Sequence, residues 1–128
     1  MLDCGTGLDS PAARAALGAC DQVLLVCDGE PDTASIVAEA AHYLQQHAPP
    51  LVLVANKLDR SSRIDTDALE RKVAFARAIV RVPTSRVGAQ QLHASHFSWT
   101  HAPSCWTTPL RQLAVLLVCD WQRLDIAH

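Results

Sequence analysis

The chain has 128 residues, a length that suits one compact domain and is too short for two. It is 49% hydrophobic and 19% charged, with a net charge of −2, which excludes a disordered tail and gives no basic stripe for nucleic-acid phosphates. No signal peptide and no apolar run of membrane-spanning length is visible, so we expect a cytoplasmic protein without a transmembrane segment.

The first predicted elements are a short helix and a strand. Ser10 is typical of an N-cap and Pro11 of a first helical turn, so an Ala-rich helix should run to about Ala19. Residues 22–27 form a continuous apolar run of strand length without alternation. Such a run predicts a strand that is covered on both faces, as in a parallel sheet between helices.

The same alternation continues through the middle of the chain. Asp32 can cap a second helix, and residues 51–55 predict a second apolar strand. A third helix has a capping box at residues 67–70 and is followed by a strand at residues 78–82. The apolar residues predicted to face inward from these two helices are Ile36, Val37, Ala40, Ala41, Leu44, Leu69 and Val73.

The last predicted helix opens at Thr108 and Pro109, after residues 84–107, which show no clear pattern. Its apolar stripe, which should cover one face of the sheet, consists of Leu110, Leu113, Ala114, Leu117, Trp121 and Leu124. Three strands alternating with helices predict an α/β fold with a doubly wound parallel sheet. Ligands of such sheets bind beyond the carboxyl ends of the strands, where the loops beginning at Asp3, Asp28, Asn56 and Pro83 would converge.

Two of these loops carry residues suited to nucleotide chemistry. Asp3, before Gly5 and Gly7, suits control of a magnesium ion beside phosphates, although the same residues also suit a tight turn capped by Asp3. Asn56 offers a donor and an acceptor together, as recognition of a purine edge requires, and Lys57 can lay its aliphatic stem along a base. The alternative for this second loop is a turn stabilised by Asn and Asp.

Four stretches, DCGTGLDSPAARAAL, ACDQVLLVCDGEPDTAS, LVLVANKLDR and FSWTHAPSCW, together span nearly the whole chain. They resemble the C-terminal half of a MinD/ParA-type ATPase, a deviant-Walker P-loop NTPase of the SIMIBI class. More closely, the chain is similar to MinD-like ATPases of actinobacterial type VII secretion. The resemblance implies one incomplete nucleotide-binding domain over residues 1–128, with a P-loop NTPase-like sheet. In its intact form such a protein binds and hydrolyses ATP with Mg, dimerises around the nucleotide and serves secretion or cellular positioning.

The resemblance also implies roles for single residues. Asp3 would be the Walker B carboxylate that holds Mg through a water, and Gly7 would let the switch loop follow the γ-phosphate. Asn56 and Lys57 would contact the base. The loop after the next strand also lines the base in that family, which nominates Pro83 and Thr84.

The chain departs from the family pattern near its start. Gly5 stands where family members usually carry Pro, which predicts a more flexible switch loop. No Gly-x-x-x-x-Gly-Lys-Ser/Thr loop occurs in these residues, so we expect the N-terminal Walker A half to be missing and the chain alone not to hydrolyse ATP. The sheet would then have an exposed edge. A truncated gene product and a natural short protein both fit this pattern.

Two other functions stay open. The tetrapeptide from Asn56 to Asp59 also satisfies the guanine-reading Asn-Lys-x-Asp pattern of GTPases, in which Asp59 would accept hydrogen bonds from guanine, although Thr6 stands where GTPases need Gly. The second is a pseudo-ATPase that keeps the fold as a docking surface around Trp99.

Overall fold

A computed structural model describes residues 1–5, 7–47, 49–59 and 66–127, with side chains except those of Pro31 and residues 66–68 and 120–127. Helices and strands alternate through most of these residues. The elements are α1 (Pro11–Ala19), β1 (Val23–Cys27), α2 (Pro31–His47), β2 (Leu51–Leu58), α3 (Thr66–Lys72), β3 (Ala78–Pro83), α4 (Arg86–His93) and α5 (Ser104–Ala127). No helix within the described residues combines the length and apolarity needed to cross a bilayer.

The three strands form one parallel sheet in the order β1-β2-β3, with β2 in the centre. Val23 pairs with Leu51 across the first ladder, and Val52 pairs with Ala78 across the second. α2 and α3 connect successive strands, as parallel pairing requires. The predicted α/β class with a parallel sheet and flanking helices is therefore confirmed, and it is compatible with a Rossmann-like architecture. The specific P-loop fold stays a prediction.

Two hydrophobic cores lie on opposite faces of the sheet because side chains alternate along each strand. The first core is formed by residues of α1, α2, α3, the turn after α3 and the sheet: Leu17, Cys27, Val37, Leu44, Leu51, Leu53, Ala55, Leu69 and Val73. The second core joins four strand residues, Val52, Val54, Val80 and Val82, to Trp106, Leu113 and Leu116 of α5. The prediction that Leu69 and Val73 face inward is confirmed.

The N-terminal ends of α1 and α2 differ in how well the sequence predicted them. Ser10 caps α1 as predicted, with its Oγ accepting a hydrogen bond from Ala13 N at 3.1 Å. Before α2, Asp28 Oδ1 accepts hydrogen bonds from Glu30 N at 3.1 Å and from Thr33 Oγ1 at 2.6 Å. Asp32, the predicted cap, lies inside the first turn of α2.

The inner face of α2 is also narrower than predicted. Val37 and Leu44 are buried, and Ala40 packs against their core. Ile36 was predicted to face inward, but its side chain is 59% exposed. Val37 and Leu44 are two helical turns apart, so both face the sheet. Because successive residues lie about 100° apart around a helix, Ile36 points away from the sheet.

The prediction that β1 is covered on both faces is wrong. Leu24 and Val26 remain 37% and 59% exposed on the face that carries Val52 and Val54 in the adjacent strand. α5 is the helix on this face, and it lies over β2 and β3. α5 therefore does not cover Leu24 and Val26 of β1.

The segment without a clear sequence pattern contains α4, whose N-cap Ser85 accepts a hydrogen bond from Gly88 N at 3.1 Å. α5 begins at Ser104, four residues before the predicted opening at Thr108. In the predicted stripe, Leu110, Leu113 and Leu117 are half-buried, whereas Ala114 is exposed. Trp121 and Leu124 lie outside the described side chains. α5 thus covers one face of the sheet over β2 and β3, and Ala114 is the member of the predicted stripe, among the described side chains, that does not face inward.

Candidate functional site

The carboxyl ends of the three strands lie at the same edge of the sheet because the strands are parallel. Asp28 follows β1, Asn56 and Lys57 lie near the end of β2, and Pro83 ends β3. Thr84 N donates a hydrogen bond to Leu58 O at 2.8 Å, which fixes the loop after β3 beside the end of β2. The structure therefore brings the four predicted base-contacting residues, Asn56, Lys57, Pro83 and Thr84, to neighbouring strand ends.

β2 contains a bulge near its carboxyl end. Ala55 pairs with Arg81 and Leu58 pairs with Pro83, so β2 contains one more residue than β3 between these pairs. Lys57 has a φ of +57°, in the left-handed region that residues with a Cβ rarely adopt. Bulges of this kind redirect side chains and are common beside active sites. The interpretation of this tetrapeptide as a loop is therefore wrong up to Leu58, because the pairing with β3 continues past the bulge.

Asn56 holds the bulge with its own side chain. Its Oδ1 accepts a hydrogen bond from Lys57 N at 2.9 Å, and the residue is half-buried. An amide oxygen has a second lone pair and the amide nitrogen carries two hydrogens, so the side chain keeps both an acceptor and donors for a ligand. Lys57 itself is exposed.

Replacing Lys57 by Gly tests the left-handed conformation. The change should raise the free energy of unfolding by about 0.5–1 kcal/mol, because glycine adopts positive φ without a Cβ clash. Lys57→Val should lower it, since a β-branched residue at positive φ is more strained still. If Lys57 is left-handed, the free energy of unfolding measured in urea should be highest for Lys57→Gly, intermediate for the wild type and lowest for Lys57→Val. A valine variant as stable as the wild type would contradict this geometry.

Asp28 is a charged group at this edge that the sequence did not single out as a site residue. The pKa of Asp28 is lowered most by the hydrogen bond from Thr33. The backbone hydrogen bond from Glu30 lowers it less, and the positive charge of Lys57 contributes least. These interactions favour the ionised carboxylate in the turn before α2, near Lys57. Its position directly after an apolar run was the available sequence signal, but the same position fits a simple helix cap.

The loop after β3 has a fixed backbone. Trp106 Nε1 donates a hydrogen bond to Pro83 O at 2.8 Å, so the carbonyl of Pro83 is tied to α5. Thr84 is exposed between this carbonyl and the N-cap of α4. Trp106 also packs against the second core, whereas Trp99 is 45% exposed.

Asp3 lies in a turn, and no strand precedes it among the described residues. Asp3 Oδ1 accepts a hydrogen bond from Gly5 N at 3.0 Å, and Gly5 and Gly7 have positive φ values of 71° and 89°. This geometry matches the alternative of a tight turn capped by Asp3. Thr6 lies outside the described residues.

The N-terminal turn rests on α1. Leu2, Asp3 and Cys4 line a surface depression together with alanines of that helix. The described residues contain no group of three His, Cys, Asp or Glu side chains placed to share a metal ion. An exposed Asp3 in a turn does not by itself make a magnesium site.

Comparison of the chain with known protein families, with curated proteins and with solved structures finds no match. The MinD/ParA resemblance and its relation to type VII secretion therefore stay predictions from the sequence. The candidate ligand site is the carboxyl edge of the sheet, where the bulge of β2 lies next to the end of β3. Asp59, the residue required by the GTPase alternative, is exposed immediately beyond β2.

Proposed function

We propose that the carboxyl edge of this sheet binds a purine nucleotide, with Asn56 in contact with the base. The observation that carries the proposal is the bulge at Asn56 and Lys57 in an otherwise buried central strand. A left-handed lysine costs about 1–2 kcal/mol of backbone strain, and such strain is concentrated at binding sites. Lys57 and the adjacent Asn56 also have side chains that suit a base.

Each described residue at this edge would then have a defined task. The half-buried amide of Asn56 would pair with a donor and an acceptor on the purine edge. The aliphatic stem of Lys57 would cover one face of the ring, while its ammonium group stays in water. Pro83 and Thr84, beside Leu58, would bound the base on the side of β3.

The wider activity follows the sequence resemblance. We infer that this edge is the base-binding end of an ATP site in a MinD/ParA-like protein of the cytoplasm, with Mg, a nucleotide-sandwich dimer and a secretion or positioning role in the intact form. The residues of this chain contribute binding of the base. The phosphate-binding loop of that family does not occur in this sequence.

A thermal-shift titration with ATP tests the proposal. ATP should raise the melting temperature of the wild type, because a ligand that binds only the folded state stabilises it. Asn56→Ala should weaken ATP binding about tenfold, since loss of hydrogen bonds to one side chain costs on the order of 1–1.5 kcal/mol. The matched control is Gln46→Ala, which removes an exposed amide from the C-terminal half of α2.

The same titration separates the alternatives. If GTP stabilises the wild type and Asp59→Ala abolishes only that effect, the guanine-reading function replaces the ATP proposal. If neither nucleotide shifts the melting temperature, nucleotide binding is contradicted. The docking function, with the 45% exposed Trp99 at its centre, then becomes the better candidate.

A further inference from the structure

Asp28 and Asn56 occupy neighbouring strand ends at the carboxyl edge of the sheet. The last pair of the first ladder joins Cys27 of β1 to Ala55 of β2. Asp28 and Asn56 are the next residues of these two parallel strands. Adjacent strands lie about 4.8 Å apart, so a ligand that binds Asn56 also reaches the strand end that carries Asp28.

The carboxylate of Asp28 is held in place and can accept further hydrogen bonds. Its Oδ1 accepts from Glu30 N at 3.1 Å and from Thr33 Oγ1 at 2.6 Å. A carboxylate has two oxygens with two lone pairs each, so acceptor capacity remains, above all on Oδ2. The hydrogen bond from Thr33 is also the main cause that lowers the pKa of Asp28. Because Asp28 is exposed, this edge presents an ionised acceptor to a ligand.

The charges around Asp28 restrict which part of a nucleotide can lie against it. Glu30 and Asp32 are also acidic and exposed at the start of α2, whereas the positive charge of Lys57 has the smallest effect on Asp28. A phosphate is therefore repelled from this position. An ionised carboxylate only accepts hydrogen bonds, so it needs O–H or N–H donors from the ligand. An adenine nucleotide has such donors on the amine of the base and on the ribose hydroxyls.

We propose that Asp28 accepts hydrogen bonds from the ribose hydroxyls and makes the site selective for ribonucleotides over deoxyribonucleotides. This inference rests on the proposed function, in which the amide of Asn56 pairs with the donor and acceptor of the purine edge. The amine of adenine is then already bonded. The ribose is attached directly to the base, and its hydroxyls are the donors left for the neighbouring strand end. A carboxylate in a parallel α/β sheet binds ribose hydroxyls in the same way in dinucleotide sites.

Binding of ATP, 2′-deoxyATP and 3′-deoxyATP to the full chain, measured by thermal-shift titration, tests this selectivity. The wild type should bind ATP about tenfold more tightly than at least one deoxynucleotide, because the missing hydroxyl donates to a charged acceptor. Equal affinities for all three would overturn the inference and leave ATP binding intact. A wild type that binds none of them contradicts the nucleotide site itself, and the ribose contact with it.

Variants of Asp28 assign the selectivity to this carboxylate. In Asp28→Ala the affinities for the three nucleotides should lie within about twofold of each other, because no hydroxyl partner remains. The matched control is Asp32→Ala, which removes an exposed carboxylate from the first turn of α2 and should keep the selectivity of the wild type.

Asp28→Asn separates the ribose contact from the role of Asp28 in the turn. Asparagine keeps an oxygen that accepts from Glu30 and Thr33 but carries no charge, so this variant should fold and should lose selectivity several-fold. The comparison is made between nucleotides on the same variant, so a change in stability alone does not alter the ratio of affinities. Selectivity that survives undiminished in Asp28→Asn and Asp28→Ala would overturn the inference.

Discussion

Replacing Leu53 by alanine should lower the free energy of unfolding by about 2–5 kcal/mol. Leu53 is completely buried in the central strand and pairs with Leu25 on one side and Ile79 on the other. Its removal leaves a cavity under α2 and α3 that neighbouring side chains cannot fill without moving. Since domains of this size are stable by about 5–15 kcal/mol, much of the native stability is at stake.

Urea unfolding followed by circular dichroism measures this loss. The control is Ile36→Ala, which shortens an apolar side chain that is 59% exposed on α2. Surface substitutions of this kind change stability by no more than about 0.5 kcal/mol. A Leu53→Ala variant as stable as the Ile36→Ala variant would contradict the packing of the first core.

Replacing Gly88 by alanine should cost about 1–3 kcal/mol, although alanine is the better helix former. A Cβ at Gly88 would overlap three ring carbons of Trp106. The indole would have to move away from α4, and its hydrogen bond to Pro83 O would lengthen or break. Near-ultraviolet circular dichroism should show the change in the tryptophan environment, and thermal unfolding should show the loss of stability.

Gly18 provides the matched control for this substitution. It lies in α1, and a Cβ there would meet no heavy atom within 4 Å. Gly18→Ala should therefore stabilise the protein by up to about 1 kcal/mol through helix propensity alone. If the two alanine variants are equally stable, Trp106 does not pack on Gly88 as described.

The strands could be predicted from the sequence because each contains a mainly apolar segment of strand length. The burial of Leu69 and Val73 also followed from periodicity. The uncovered face of β1 could not be predicted, since an apolar run does not reveal whether a helix lies above it. That outcome depends on where α5 crosses the sheet, which contacts distant in sequence decide.

The helix α4 was missed for a similar reason. Its sequence, RVGAQQLH, has a glycine in its interior and few apolar residues, so local preference does not favour a helix. The structure holds it through the Ser85 cap and through Trp106, which lies 18 residues further along the chain than Gly88. The second of these contacts cannot be seen in a local pattern.

Part of the candidate site was also predictable. Asn56, Lys57, Pro83 and Thr84 meet at one edge, as expected of loops after parallel strands. The bulge was not predictable, because lysine shows no preference for positive φ that would signal it. Asp3 illustrates the opposite case, in which a family-like motif of suitable residues lies in a turn on α1.

The alternation of side chains along β2 has a consequence for cooperativity. Leu51, Leu53 and Ala55 belong to one core, whereas Val52 and Val54 belong to the other. The two cores therefore share a single backbone segment, so unfolding of β2 disrupts both. Loss of α5 would expose Val52 and Val54, which alternate along β2 with the three residues that α2 and α3 cover. We expect the two layers of helices to melt together as one folding unit rather than to peel away in succession.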